Sequence, residues 1–444
     1  MIKDLTLGPP RKVLWQFSIP MFISVIFQQL YNIADSVIAG RFAGENALAA
    51  VGASYPITMI FMAIAVGSNI GCSVVISQLF GAKAYGRMKT AILTTLLSSA
   101  VLSLVLTGAG LAGSAGLMRM INTPENIFAD GALYLRIYIG GFLFLFLYNI
   151  ATGIFTSLGD SRTPLYFLIG SSLGNIVLDY IFVADFQWGV AGVAWATFLA
   201  QGVACVLALI TLVFRMRTIQ TADKVAAFDM DMLKRISSVA VPSILQQSFI
   251  SVGNIFVQSL VNSFGSSVIA GYSAAIKLNT FAITSFTTLG NGVSSFTAQN
   301  LGAGKQERVR EGFRAGIMMA VTIGVPFVIA YFVFGRSMIL LFMSQESSQA
   351  LETGVQFLKV VSPFYFVVMI KLIADGVLRG AASMKFFMIS TFSDLILRVV
   401  LAYILSVPFQ VLGVWMSWPV GWSVGTLLAY YFYHSGKWMW KKEV

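Results

Sequence analysis

Apolar residues run along the chain in long stretches separated by short polar segments. The stretches fall at about 14–40, 46–79, 88–114, 127–157, 162–184, 189–214, 233–263, 267–300, 312–335, 349–379, 384–407 and 411–434. A helix needs about 20 apolar residues to cross the hydrocarbon core of a bilayer. Every stretch meets that length, and the longer ones call for tilt or extension past the bilayer. The pattern predicts an all-α polytopic membrane protein with twelve transmembrane helices.

Composition agrees with the pattern. Of 444 residues, 57% are hydrophobic and only 11% charged, and the mean hydropathy is +0.82. Soluble domains sit nearer 45–50% apolar and 25% charged, so a soluble enzyme, a disordered chain and a fibrous protein are excluded. Cys72 and Cys205 both lie in apolar stretches and read as small core residues. His434, the only histidine, lies in the C-terminal tail, which leaves no histidine relay or histidine-ligated metal within the membrane. No cleavable leader pattern precedes the first apolar run.

The net charge of +11 raises the question of a nucleic-acid partner. Placing the charges answers it. With the N-terminus in the cytoplasm, 21 of the 29 Lys and Arg fall on the inner side and five on the outer side, while Lys277, Lys371 and Arg398 lie within spans. This positive-inside bias supports twelve spans with both termini cytoplasmic. It directs the basic face to the anionic inner leaflet, so no nucleic acid is expected.

The two halves repeat. At an offset of about 222, Ile19-Pro20 meets Val241-Pro242, Asn32 meets Asn254 and Phe42 meets Phe264. At 221, Ser77 to Ala82 meets Ala298 to Ala303, and Gly192-Val193 meets Gly413-Val414. Six is an even number of crossings, so the halves enter from the same side and form a parallel repeat about an axis along the membrane normal. The expected organisation is an N-lobe over 1–214, a cytoplasmic linker over 215–235 and a C-lobe over 236–444. Such halves commonly enclose a cavity that opens alternately to each side. Gly302-Ala303-Gly304-Lys305 is followed by Gln306 and lacks phosphate-loop spacing, so coupling to ATP is not expected. A transporter of this kind runs on an ion gradient.

Ionisable groups within a bilayer are costly and are functional candidates by default. The first half offers Asp35 in span 1 and Asp179 in span 5, with Asn175 one turn from Asp179 and Thr197 in span 6, all in the outer half of the membrane. Neither aspartate has an obvious basic partner at its level. A carboxyl held in low dielectric without a cation can carry a proton near neutral pH. Two carboxylates with Asn and Thr oxygens can equally bind sodium, and bonds to neighbouring hydroxyls or waters are the purely structural alternative. The second half offers Lys277, Lys371, Asp375, Asp394 and Arg398. Lys371/Asp375 and Asp394/Arg398 have i,i+4 spacing and read either as internal ion pairs or as a polar cavity wall. Lys277 has no partner at helical spacing, Asp375 being a cross-helix candidate, and Arg379 reads as interfacial. Pro20 lies inside span 1, where it removes a backbone hydrogen bond and can kink the helix that carries Asp35.

These residues resemble the multidrug and toxic compound extrusion (MATE) family along essentially the whole chain. The resemblance is carried by Ile19-Pro20 with Asn32-x-x-Asp35, by Gln78-x-x-Gly81-Ala82, and most specifically by Asn175-x-x-x-Asp179-Tyr180 followed by Gly189-x-x-Gly192-x-Ala194-x-Ala196-Thr197. Within the family the sequence looks like the prokaryotic DinF-type branch. That resemblance implies a proton or sodium site at Asp35, Asn175, Asp179 and Thr197, joined by Tyr134 and Asn149, and a bending role for Pro20. It implies antiport of bulky amphipathic, often cationic compounds against H+ or Na+, by a monomer in the cytoplasmic (inner) membrane of a prokaryote, with membrane lipids around it and no cofactor or enzymatic activity. One departure stands out. The helix-7 glutamate of the NorM-type branch has no counterpart in span 7, Pro242 to Phe264, so coupling in the second lobe is not carried over. The alternative is a flippase for a lipid-linked precursor from the same superfamily, with Lys277, Lys371 and Arg398 cradling an anionic headgroup.

Overall fold

The computed structural model describes residues 2–38, 42, 45–121, 123–342 and 348–439. Arg41, Lys441 and Lys442 from the charge count lie outside the described residues. Among the described residues every regular element is helical.

The first half contains α1 (Pro10–Ile38), α2 (Glu45–Gly81), α3 (Tyr85–Met120), α4 (Glu125–Gly140 continuing as Phe142–Ser157), α5 (Arg162–Asp179, ending in a π turn, Tyr180–Asp185) and α6 (Gly189–Thr218). The second contains α7 (Met230–Asn262), α8 (Ser266–Gly302), α9 (Gln306–Val333) and α10 (Ser348–Val361 and Tyr365–Gly380, joined by the 3-10 turn Ser362–Phe364). The last continuous helix, Met384–His434, is broken at Gln410, where φ is 49° and ψ is −132°. Its two parts are α11 (384–409) and α12 (411–434), giving twelve spans. Hydropathy alone finds nine spans and one bent pair among the described residues, because it counts Met384–His434 once and passes over the more polar α8.

Particular residues set the breaks. The two parts of α4 meet at 47°. At the bend, a side chain on Gly141 would stand 2.8 Å from the Phe198 ring, so only glycine allows α6 this close. The π turn that ends α5 begins at Tyr180, next to Asp179, and such turns often mark functional positions. The repeated Gly-Ala motifs after α2 and α8 build the same left-handed helix stop. Lys83 has φ 56° and Gly304 has φ 71°. Ala84 N–H donates to Leu79 O at 3.0 Å, as Lys305 N–H donates to Asn300 O at 2.8 Å. These are the six-to-one bonds that satisfy the last helical carbonyls.

The chain divides into two compact units, Met1–Asp4 with Ile23–Gln247, and Leu5–Phe22 with Ser248–Val444. The division falls inside α1 and α7, shortly after Pro20 and Pro242, the prolines that the repeat pairs. In the first unit the linker is pinned along α3. Ala226 N–H donates to Thr90 Oγ1 at 3.1 Å, and Asp229 N–H donates to Thr94 Oγ1 at 3.0 Å. Arg235 donates to Gln78 at 2.8 Å. In the second unit α8 and α10 touch backbone to backbone. A Cβ on Gly376 would lie 2.4 Å from Gly290 O, and one on Gly380 would lie 2.4 Å from Ser294 O. Large apolar side chains such as Val101, Val105, Phe214, Ile255, Val407 and Leu427 are exposed, as expected of surfaces that face lipid.

Candidate functional site

The sequence places Asp35 on α1, Tyr134 on α4, Asn175 and Asp179 on α5, and Thr197 on α6, and the fold brings them together within the first unit. The carboxyls of Asp35 and Asp179 lie close enough to act on each other electrostatically. Tyr134 lies in the field of both. Asn175 Nδ2 donates to Thr197 Oγ1 at 3.5 Å, and Thr197 Oγ1 donates to Val193 O at 3.1 Å. Asn175 and Asp179 are 2% and 1% exposed.

What distinguishes this cluster is how little of it is satisfied. Asp35 Oδ1, both Asp179 oxygens and Asn175 Oδ1 are buried without a hydrogen-bond partner. Buried carboxylate oxygens are nearly always paired, since leaving them bare costs several kcal/mol. Among the described residues, no lysine or arginine acts on either carboxyl. The cluster therefore supplies hard oxygen acceptors and negative charge with no internal cation. It suits protons shared between the acids, or a monovalent metal ion held by their oxygens.

Two side chains belong to the cluster that the sequence reading missed. Tyr31, one turn before Asp35, lies in the field of Asp35, Asp179 and Tyr134 and beside the Thr197 side chain. Gln201, one turn after Thr197, has a buried, unpartnered Oε1. Both could have been found by stepping i±4 from the acids and Thr197 along their helix faces. Asn149 takes part in a different polar group. Its Nδ2 donates to Leu145 O at 2.9 Å, and its own carbonyl accepts Asn69 Nδ2 at 2.8 Å. Gly153, beside it, leaves room for Asn69 and Ser73.

The second unit corrects two expectations. Lys371 does pair with Asp375, at 2.7 Å. Asp394 does not pair with Arg398; it lies 3.7 Å from Lys371 instead. Arg398 turns its guanidinium over the Trp418 ring, 4.4 Å from the centroid, because the indole face offers a cation a favourable seat without a carboxylate. Lys277 does not reach Asp375; its ammonium lies over the Phe342 ring at 5.8 Å. Arg379, in the last turn of α10, is buried by its own unit. It is 3% exposed and donates to Asn291 Oδ1 at 2.9 Å. The repeat also places Val257 where the first half has Asp35, and Trp418 where it has Thr197. The two units thus carry unlike polar centres.

Twelve helices in two six-helix halves, with an unneutralised acid pair buried in the first, define a polytopic membrane transporter. The sequence model of the MatE family matches residues 20–181 and 242–404, and the chain belongs to that family. It is 28% identical to the "probable multidrug resistance protein YoeA" of Bacillus subtilis over 96% of this chain and 93% of that one. A solved structure described as the "outward-facing conformation of a multidrug resistance MATE family transporter" superposes with a TM-score of 0.91 at 24% identity, covering 98% of this chain and 97% of that one. A transporter of the same superfamily from Pyrococcus furiosus, described as having a binding pocket of reverse polarity, superposes with a TM-score of 0.90 at 25% identity, covering 97% of each chain.

Proposed function

We propose that the protein is a cation-coupled antiporter that exports bulky amphipathic, often cationic compounds in exchange for H+ or Na+. The observation that carries this reading is the Asp35–Asp179 pair, whose buried oxygens lack partners and on which no basic side chain acts. Asn175, Thr197, Tyr31 and Tyr134 surround the pair with further oxygens. A cation entering this cluster removes an electrostatic penalty that the chain leaves standing.

The position of Asp35 links the ion to shape. It rides on α1, whose residues 10–22 and 23–38 belong to different compact units with Pro20 just before the division. Occupation of the acid pair fixes the later part of α1 against α4, α5 and α6, and Pro20 supplies the weak point about which that part bends. The charge distribution supports a prokaryotic cytoplasmic membrane with both termini inside. The protein acts as a monomer within membrane lipid. The flippase reading receives less support, because the Lys371 ammonium is held by Asp375 and Asp394 and the Arg398 guanidinium sits on Trp418.

Purified protein in liposomes tests the reading. Efflux of a fluorescent organic cation is followed under an imposed proton gradient and, separately, a sodium gradient, for wild type and Asp35→Asn. The expected result is gradient-driven efflux that Asp35→Asn abolishes. Wild-type transport that ignores both gradients would sink the antiport reading.

A further inference from the structure

The last two helices of the second unit leave a groove that the proposed exchange does not use. Its volume is about 850 Å³. Met388, Phe392, Ile396 and Val400 line it along α11, Val424 contributes from α12, and Lys385 stands at its start. Apart from Lys385 and Ser393 the lining is apolar. The packing of α7 explains where the groove stops. α7 belongs to this unit from Ser248 onward. Phe249 packs edge-on against Phe392 at 4.7 Å, a Cβ on Gly253 would lie 3.5 Å from Val399, and the Tyr403 hydroxyl donates to Phe256 O at 3.2 Å. Beyond Val400, α7 therefore packs along α11. Before it, Ile389 and Ile396 are left 40% and 55% exposed.

The charge lies at one end. Lys385 is in the first turn of α11 and is exposed. Lys437 is also exposed, and its ammonium lies 5.2 Å from the ring centroid of Phe386, the neighbour of Lys385. None of the ion pairs among the described residues uses either lysine. From Lys385 to Val400 the helix rises about 22 Å. One leaflet of a bilayer, headgroups included, is roughly 20–22 Å thick. The positive-inside orientation puts both lysines at the inner face, where the anionic lipids are. A soluble anion would leave the apolar length of the groove in contact with water, and an organic cation would be repelled at its start. An anionic head on an apolar tail matches both features.

We propose that the α11–α12 groove is a binding site for one anionic phospholipid of the inner leaflet, with its phosphate held by Lys385 and Lys437 and an acyl chain lying along Met388, Phe392, Ile396 and Val400. The lipid covers the stretch of α11 that precedes its packing against α7. The inference rests on the orientation with Lys385 at the inner face and is independent of the antiport reading, since its test measures binding and not transport.

The test uses full-length protein stripped of lipid in a neutral detergent. Retained lipid is counted by native mass spectrometry, and thermal unfolding is followed as phosphatidylglycerol or phosphatidylcholine with the same acyl chains is added. The wild type should retain about one phosphatidylglycerol per chain and show a saturable rise in unfolding temperature, as ligand linkage requires. A lysine beside an anionic headgroup is worth about fivefold in affinity, so two should favour phosphatidylglycerol over phosphatidylcholine by roughly 20-fold. Lys385→Ala/Lys437→Ala should abolish that preference, whereas Arg217→Ala/Lys224→Ala, an equal loss of charge in the other unit, should keep it. Ser393→Trp, which fills the groove, should weaken both lipids. If that variant does not fold, Ile396→Asn on the exposed side of the groove should do the same. Soluble glycerol phosphate should not compete. Equal affinity of the wild type for the two lipids, an unchanged preference in Lys385→Ala/Lys437→Ala, or displacement of the lipid by glycerol phosphate would overturn the proposal. So would displacement by a fluorescent organic cation, which would make the groove a site for exported compounds.

Discussion

Lys83 and Gly304 hold the same left-handed backbone conformation at equivalent places in the two halves, with φ of 56° and 71°. One half meets the requirement with the residue type that fits, and the other bears the strain of a side chain there. Left-handed geometry costs a residue with a Cβ roughly 1–2 kcal/mol. Lys83→Gly should therefore raise the stability of the α2–α3 turn by about 1 kcal/mol. Gly304→Ala should lower that of the α8–α9 turn by a similar amount, since a Cβ there meets no atom within 4 Å and backbone strain is the whole effect. Thermal unfolding in detergent would read both, in opposite directions.

The glycines of α8 and α10 should behave differently. A Cβ on Gly376 would meet the carbonyl of Gly290 at 2.4 Å. Two backbones cannot yield as a flexible side chain can, so Gly376→Ala should destabilise the second unit by roughly 1–3 kcal/mol. Gly170→Ala on α5, where the added carbon meets nothing within 4 Å, should be neutral or stabilising by up to about 1 kcal/mol. Equal losses in the two variants would contradict the close approach.

Asp160 clamps the turn between α4 and α5. It accepts Thr163 N–H at 3.1 Å and Thr163 Oγ1 at 2.8 Å and pairs with Arg215 at 3.4 Å. Burial alone would raise its carboxyl, but the hydrogen bonds outweigh burial and hold it below its ordinary value. A carboxyl lowered on folding stabilises above the unfolded value of about 3.9 and loses that contribution as pH falls through the folded value. Asp160→Asn should therefore destabilise by roughly 1 kcal/mol at neutral pH. The difference from wild type should shrink below about pH 4, as read by unfolding curves across pH.

Tyr31→Phe removes only a hydroxyl from the acid cluster, where that hydroxyl lies in the field of Asp35 and Asp179. The loss of one polar group from the cluster, about 1 kcal/mol, corresponds to roughly a fivefold weakening of cation dependence with folding retained. A gradient-driven efflux assay titrated with the cation would show it. An unchanged cation dependence would remove Tyr31 from the site.

The helices, the repeat and the acid cluster were legible because each follows from spacing on a helix or from the period of apolar runs. Asp35, Asn175, Asp179 and Thr197 could be grouped before any fold was known, since uncompensated polar groups stand out in a chain that is 57% hydrophobic. Spacing failed where several partners compete. Asp394 and Arg398 are one turn apart, but Lys371 on another helix claims the carboxylate and Trp418 claims the guanidinium. Tyr31 was hidden for a different reason, since a tyrosine in a membrane helix looks like packing until its neighbours are known. Asn149 showed the reverse error, because its amide turns back to its own helix at Leu145.

The central claim is that the Asp35–Asp179 pair binds the coupling cation and that cation and exported compound oppose each other. Linkage makes that opposition reciprocal and measurable at equilibrium. Binding of a fluorescent organic cation to purified protein should be measured as pH is lowered and, separately, as sodium is raised at constant ionic strength, for wild type and Asp35→Asn/Asp179→Asn. The account predicts that affinity in the wild type falls at least about fivefold as the coupling cation saturates, a coupling of about 1 kcal/mol. The double variant should bind with a single affinity throughout. Equal cation dependence in both proteins would contradict the account.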